Sequence, residues 1–375
     1  MQPFKRKVFY IGGFDPRGLS HYHALFLEQM RRHAARTGIA VDVSAPRRGP
    51  TPHRGEWTAR DAAGSTVVDY TFLQWEDIVR KGWIRNPLTL ARRAVATYIR
   101  IVAQGDFSRA RMLGRGQLIT LFYPPITALL FPLLLALISG SVMALALASW
   151  LPWFLIGCVV GLSIAWPILR VLHSPWLLRF FIFNDDLARG AMPAVLQDRL
   201  RGFADAIADG MTGYDEVMLM THSNGSILSI LVLNDLLGRW GGKAPANFVF
   251  VTLGHCIPLV ACRRDARHFR DALGCLGGGD FHWIDIGSPP DGAAYFGVNP
   301  LLLYHDQAMP RVELLSPRFH LFHDPATYRN GWTNKYEIHF DYLRSGDHPS
   351  PLDFPNLMLA PHAIEQSVAT FRLIP

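Results

Sequence analysis

The residues of this chain best placed to do chemistry stand in Thr221-His222-Ser223-Asn224-Gly225. They follow the apolar run Val217-Met218-Leu219-Met220 and precede a second one, Ile227 to Leu233. That order reads as a buried strand, a sharp turn and a helix, with a serine on the turn. A tight turn lifts a serine hydroxyl clear of the strand end and aims the following backbone N–H groups at the atom it attacks. Serine is a weak nucleophile until a base takes its proton, and the base needs a carboxylate to orient it. Ser223 is therefore the candidate nucleophile, and the rest of the chain must supply the base and the acid.

The pattern resembles the nucleophile elbow of the α/β-hydrolases, written G-x-S-x-G, with Thr221 in place of the first glycine. The glycines let helix and strand backbones approach closely around a strained residue, so Thr221 departs from the pattern where it matters. In that family the acid and the histidine follow the serine in this order. Trp283-Ile284-Asp285-Ile286-Gly287-Ser288-Pro289-Pro290-Asp291-Gly292-Ala293 resembles the family's acid loop. The resemblance implies Asp291 as the acid and leaves Asp285 in reserve, although an aspartate opening an Asp-Gly turn has a local reason to be there. Fifteen histidines are present, and those beyond the last expected strand are His320, His323, His339, His348 and His362. Ile338-His339-Phe340-Asp341-Tyr342-Leu343 resembles the family's terminal histidine segment, which implies His339 as base with His323 second. His222 is expected to pack structurally.

An oxyanion needs two backbone N–H donors. By the same resemblance these are Asn224, after the nucleophile, and Gly13 or Phe14 in the loop Gly12-Gly13-Phe14. Arg17 and His21, just beyond, are candidate contacts for an anionic headgroup or carboxylate, with His23 beside them, or are simply exposed at a helix start. No cofactor or metal is expected. Gly12-Gly13 lacks a following G-K-[ST], Leu276-Gly277-Gly278-Gly279-Asp280 lacks the strand-to-helix context of a dinucleotide fingerprint, and His21-Tyr22-His23 lacks helical zinc spacing.

Composition narrows the setting. Half of the 375 residues are hydrophobic and 18% are charged, with mean hydropathy +0.14. That is too apolar for a simple soluble enzyme and points to membrane contact. Cys158, Cys256, Cys262 and Cys275 show no paired or metal-like spacing and read as free thiols of a reducing compartment. No secretory signal is expected, since Met1 to Lys7 leads into a strand-like run. Charge is uneven: Arg80, Lys81, Arg85, Arg92, Arg93, Arg100, Arg109, Arg111 and Arg115 oppose only Asp106. No nucleic-acid motif accompanies them.

The apolar run beyond the basic segment decides its meaning. Gly116 to Leu169 carries no charge in 54 positions, and a helical span needs about 20 apolar residues. Ser139-Gly140-Ser141 is the expected turn, giving spans near 118–138 and 143–172, either crossing fully or dipping into one leaflet. The basic flank before the run, with Arg170, Arg179 and Arg189 after it, places both flanks on the cytoplasmic side of an inner membrane. Residues 88–104 read as a basic amphipathic helix lying in the interface, drawn to anionic headgroups.

The remaining elements alternate as an α/β architecture demands. Strands are expected at Lys7–Ile11, Ile39–Val43 (a second parallel strand), Glu216–Met220, Asn247–Thr252, Phe281–Ile286 and Arg311–Leu315, and helices at His21–Thr37 and Ala191–Gly210. Glu56–Arg60 and Thr66–Phe72 should form a hairpin at an edge. The chain would begin at the family's third strand, without its first antiparallel strands. The expected fold is α/β, a mostly parallel sheet of α/β-hydrolase type interrupted by a two-helix membrane hairpin. Residues 1–79 and 186–375 form its two parts, and 80–185 hold the basic segment and the hairpin.

These residues and this setting support two functions. One is a membrane-anchored serine hydrolase acting through an acyl-serine on a lipid or long-chain acyl ester, with bilayer and hydrophobic acyl substrate as its partners. The other is a non-catalytic binding or assembly protein that reuses the fold.

Overall fold

The computed structural model describes residues 2–106, 114–147, 150–304, 309–326, 328 and 335–375; Arg109 and Arg111 of the basic segment lie outside them. Strand β1 (Phe4–Ile11) leads into helix α1 (Leu19–Thr37), and β2 (Val41–Val43), β3 (Arg47–Arg48), β4 (Arg54–Asp61) and β5 (Thr66–Leu73) come next. After a long helical stretch come β6 (Glu216–His222), β7 (Phe248–Leu253), β8 (His282–Ile286) and β9 (Arg311–Leu315). The sheet has 9 strands in the order β2-β4-β5-β1-β6-β7-β8-β9, with β3 on β4. From β5 to β9 all neighbours are parallel.

Every residue of β6 and β7 is buried. Continuous apolar runs of this kind belong to strands covered on both faces. Side chains alternate across the pleat. Phe9, Ile11, Val217, Leu219 and Phe250 enter one core, while Val8, Tyr10, Met218, Met220 and Val251 enter the other. Helix α1 covers the second face through Tyr22, Phe26 and Met30. Each large apolar side chain so buried contributes on the order of 1.5–3 kcal/mol. At the far end of the sheet from the candidate site, the buried Arg6 pairs with Glu216 (Nε to Oε2, 2.5 Å) and donates to the carbonyls of Met358, Ala360 and His362. Glu216 in turn accepts from the Ile364 N–H at 2.7 Å, which ties the C-terminal segment to β1 and β6.

Two expectations about the sheet need correction. Val41–Val43 is an antiparallel strand paired with β4, not a second parallel strand. The β4–β5 hairpin is not at the edge, because β5 pairs in parallel with β1 and β2 flanks β4. Antiparallel strands do occupy that side of the sheet, but they are built from residues after β1 rather than before it. Hairpin length and polarity are readable locally, whereas the partner of an edge strand is a long-range choice.

Among the described residues, the helices between β5 and β6 are α2 (Glu76–Lys81), α3 (Pro87–Gln104), α4 (Arg115–Pro125), α5 (Phe131–Ala146), α6 (Trp150–Val171), α7 (Ser174–Ala188) and α8 (Ala194–Asp209). Helix α3 starts on Asn86, whose side chain accepts from the N–H of Leu88 and Thr89, with Pro87 as the first helical residue. It buries Leu90 and Ala94 against Leu178 and Ile182 of α7, and leaves Leu88, Val95, Ile99 and Val102 exposed. Asp185 of α7 accepts from Thr97, Arg100 and Arg263. Burial alone would raise its pKa, and the hydrogen bonds from Arg100 and then Arg263 instead hold it below the usual carboxylate range.

Helices α4 and α5 join through a π-turn at Ile126–Leu130, beside prolines 124 and 125, which cannot donate to the helix ladder. Arg115–Ala146 and Trp150–Val171 are each long and apolar enough to cross a membrane. The turn expected at Ser139-Gly140-Ser141 lies inside α5, and the chain reverses after Ala146. Those small residues serve packing instead. A Cβ on Gly157 would sit 2.6 Å from Gly140 Cα, and one on Gly161 2.8 Å from Ala136 Cα. Ser139 Oγ donates to Gly157 O or to Leu135 O, each at 2.6 Å. Small residues at four-residue spacing let two apolar helices approach this closely.

Candidate active site

Ser223 sits between β6 and helix α9 (Gly225–Arg239), at φ +55°. A left-handed serine costs on the order of 1–3 kcal/mol and persists only where its surroundings fix it. Here the Ser223 N–H donates to Leu253 O at 3.0 Å, and Ser223 O accepts from the Ser226 N–H and Oγ at 3.0 and 2.6 Å. Ser226 Oγ also accepts from the Cys256 N–H at 3.0 Å. The turn is thus bonded both to its own helix and to the loop after β7.

The close approaches around the turn occur at Gly13 and Gly225. A Cβ on Gly225 would lie 2.3 Å from Ile11 O, so α9 starts against the end of β1. A Cβ on Gly13 would lie 3.0 Å from Ser223 Cβ and 3.4 Å from its Oγ. Thr221 is an interior residue of β6, opposite Ile11 and Thr252, fully buried with Oγ1 lacking a partner among the described residues. Among the described residues, nothing accepts from the backbone N–H of Gly13, Phe14 or Asn224. All three expected donors are therefore available, and Gly13 and Asn224 flank Ser223 directly. The Asn224 side chain is buried with both polar atoms unpartnered among the described residues.

Asp291 and His339 meet. His339 Nδ1 lies 2.8 Å from Asp291 Oδ2, which also accepts from Tyr342 OH at 3.1 Å, while Oδ1 accepts from the Ala293 N–H at 2.9 Å. Tyr342 OH in turn accepts from the Ser288 N–H at 2.8 Å. Burial alone would raise the Asp291 pKa, but the neighbouring His339, with the bonds from Ala293 and Tyr342, brings it below the ordinary carboxylate value. With Nδ1 held by a carboxylate, the imidazole keeps Nε2 as the basic nitrogen.

His339 and Ser223 line one cavity of about 40 Å3. Among the described residues their side chains make no direct hydrogen bond, and the polar neighbour of Ser223 Oγ is Cys256 Sγ at 3.9 Å. Burial pushes the Cys256 thiol up to about 12, so it stays protonated. The cavity walls are apolar: Leu121 comes from α4, and Trp176, Leu177, Phe180 and Phe181 from α7. Gln117 of α4 donates to Ala294 O, and a Cβ on Gly292 would sit 2.8 Å from Thr120 Oγ1. The start of the first apolar helix therefore packs on the loop that carries Asp291.

The other sequence candidates fall outside this cavity. Asp285 accepts from Thr252 Oγ1 at 2.6 Å, and burial raises its pKa. His323 Nδ1 lies 3.4 Å from Asp347. Arg17 is held on Asp15, 2.6 Å from Nη2 to Oδ2, with its guanidinium 5.4 Å from the Phe340 ring centroid. His21 stands edge-on to Tyr22, and His23 reaches Ser44 O. His222 is buried with Nε2 2.8 Å from His339 O, so it supports the backbone of the candidate base; burial, then the charge of His339, lowers its pKa to about 3.

Sequence reasoning missed Tyr342, Ser226 and Cys256, and treated residues 117–121 and 176–181 as part of an insert rather than of the site. Tyr342 had one visible signal, its position three residues after His339. Among the described residues no group of three or more His, Cys, Asp or Glu could hold a metal. Comparison with protein-family models, with curated proteins and with solved structures found no match to this chain.

Proposed function

We propose that this chain is a membrane-anchored serine hydrolase of α/β-hydrolase type. Its substrate is a lipid or long-chain acyl ester, cleaved through an acyl-serine. The carrying observation is the buried Asp291–His339 pair on the same cavity as Ser223, itself held at φ +55°. In this reading Ser223 Oγ attacks the ester carbonyl carbon and His339 Nε2 takes the serine proton. The Asn224 and Gly13 or Phe14 N–H groups receive the developing oxyanion. Collapse breaks the bond to the alkoxy group, which leaves with the proton from His339. Water, deprotonated by the same nitrogen, then releases the acid and restores the serine.

The lipid assignment rests on the cavity walls. Five of their apolar residues belong to α4, the start of the first apolar span, and to α7, which follows the second. The basic flanks favour the cytoplasmic side of an inner membrane for the catalytic parts. A second reading, a binding or assembly module on the same fold, is favoured by one observation, the absence among the described residues of a direct Ser223–His339 bond in so narrow a cavity. A fluorophosphonate probe on membranes separates them. Hydrolysis predicts labelling that disappears in Ser223→Ala; labelling that survives it, or never appears in folded protein, refutes the enzyme.

A further inference from the structure

Beside the catalytic cavity lies an open cleft of about 670 Å3, lined by Asp77, Arg80, Lys81, Trp83 and Arg85. Its one carboxylate is already engaged, since Arg199 donates to Asp77 at 2.7 and 3.1 Å and holds that carboxyl below its usual range. Arg80 spends one donor on Pro16 O at 2.7 Å and sits 3.9 Å from Glu76. Lys81 and Arg85 are exposed, and among the described residues neither has an acid within salt-bridge distance. A fourth cation lies behind the aromatic floor, with the Arg179 guanidinium 4.8 Å from the Trp83 ring centroid. Arg199 meets the charge of Asp77 and Arg80 that of Glu76, so the excess positive charge of the cleft rests on Lys81 and Arg85.

Position says what kind of anion it fits. Trp83 stacks on Phe14 (6.0 Å, 15°), and Phe14 also touches Trp176 and Phe180 of the cavity wall. One aromatic layer thus separates the cleft from the site of Ser223. On its other side Arg85 leads directly into α3, where Leu88, Val95, Ile99 and Val102 lie at helical spacing on one exposed face that also carries Arg92. A soluble anion has no use for that apolar stripe, whereas an amphiphile has a use for both halves. Lys and Arg at such a boundary bury their stems in apolar surface and present their charge to headgroups.

We propose that Arg80, Lys81 and Arg85, around Trp83, bind the phosphate headgroup of an anionic phospholipid, with its acyl part along the exposed face of α3. The proposal deepens the membrane reading above and does not require Ser223 to be a nucleophile. The test uses full-length Ser223→Ala protein in detergent, so that no ligand is consumed. Binding of short-chain phosphatidylglycerol, phosphatidylcholine and inorganic phosphate is followed by native mass spectrometry and titration. Phosphatidylglycerol should bind at least tenfold more tightly than phosphatidylcholine. That preference should fall at least tenfold in Lys81→Gln/Arg85→Gln and weaken with salt. Equal binding of the two lipids, or a preference unchanged in the double variant, overturns the site. Inorganic phosphate that binds with the same dependence and displaces the lipid overturns the lipid as its source. The fold of the double variant is checked by its melting temperature, and Lys81→Gln alone is read if the pair does not fold. Because the assay never uses Ser223, its failure is separate from failure of the hydrolase reading.

Discussion

Replacing Asp291 by asparagine changes one oxygen for an amide nitrogen and should abolish most reactivity at Ser223 without unfolding the chain. The Asp291 carboxylate faces two kinds of donor. Oδ1 accepts from the Ala293 backbone N–H at 2.9 Å, and Oδ2 from His339 Nδ1 at 2.8 Å and Tyr342 OH at 3.1 Å. A backbone N–H cannot become an acceptor, but an imidazole nitrogen and a phenol can. The asparagine oxygen will therefore stay on Ala293 and turn its amide nitrogen toward His339. His339 must then accept at Nδ1 and carry its proton on Nε2, which is the wrong tautomer for a base toward Ser223. Loss of the same tautomer control in a triad costs about ten-thousand-fold in rate, or about 5.4 kcal/mol of barrier. Because the groups around the carboxylate can exchange roles, the stability cost should stay within about 1–3 kcal/mol. The assay is the second-order rate of fluorophosphonate labelling, with thermal unfolding measured in parallel. A folded Asp291→Asn protein that labels within tenfold of the parent would refute the assigned role of the Asp291–His339 pair.

Three further perturbations test the same geometry. The buried His222 has its pKa lowered to about 3 against about 6.5 unfolded, so the unfolded state binds the proton first. Its contribution is full above about pH 6.5 and is lost on acidification toward pH 3, by about 1.4 kcal/mol per unit. Denaturant titrations of His222→Gln, which can still donate to His339 O, should show that much less acid sensitivity than the parent; equal slopes would exclude the histidine as the cause. Gly225→Ala would push a Cβ to 2.3 Å from Ile11 O, a contact with backbone that no rotamer relieves. It should cost about 3 kcal/mol or more, and an unchanged melting temperature would count against this packing of α9 on β1. A topology reporter inserted after Leu147, where α5 has ended, should report the side opposite the two termini if both helices span. A reporter on the same side as the termini would mean that the pair dips and returns.

The sequence by itself determined what is local. Runs of apolar residues marked β6 and β7, and the charge-free stretch marked the apolar helices, because each element must match its own surroundings. The order Ser223, Asp291, His339 came instead from a resemblance to the α/β-hydrolase pattern. Tertiary structure decided the partners. Only folding put the Asp291 carboxylate on His339 rather than leaving that place to Asp285, added Tyr342 and the Ala293 N–H to hold it, and set Gly13 against Ser223. Only packing showed that Ser139-Gly140-Ser141 continues a helix, because Gly157 and Gly161, which fill the space there, come from the next one. The parallel pairing of β5 with β1, the place of β2 beside β4, and the cavity walls from α4 and α7 have the same origin. A contact between residues far apart in the chain is fixed by what fits between them, and no window of sequence contains both sides of that fit.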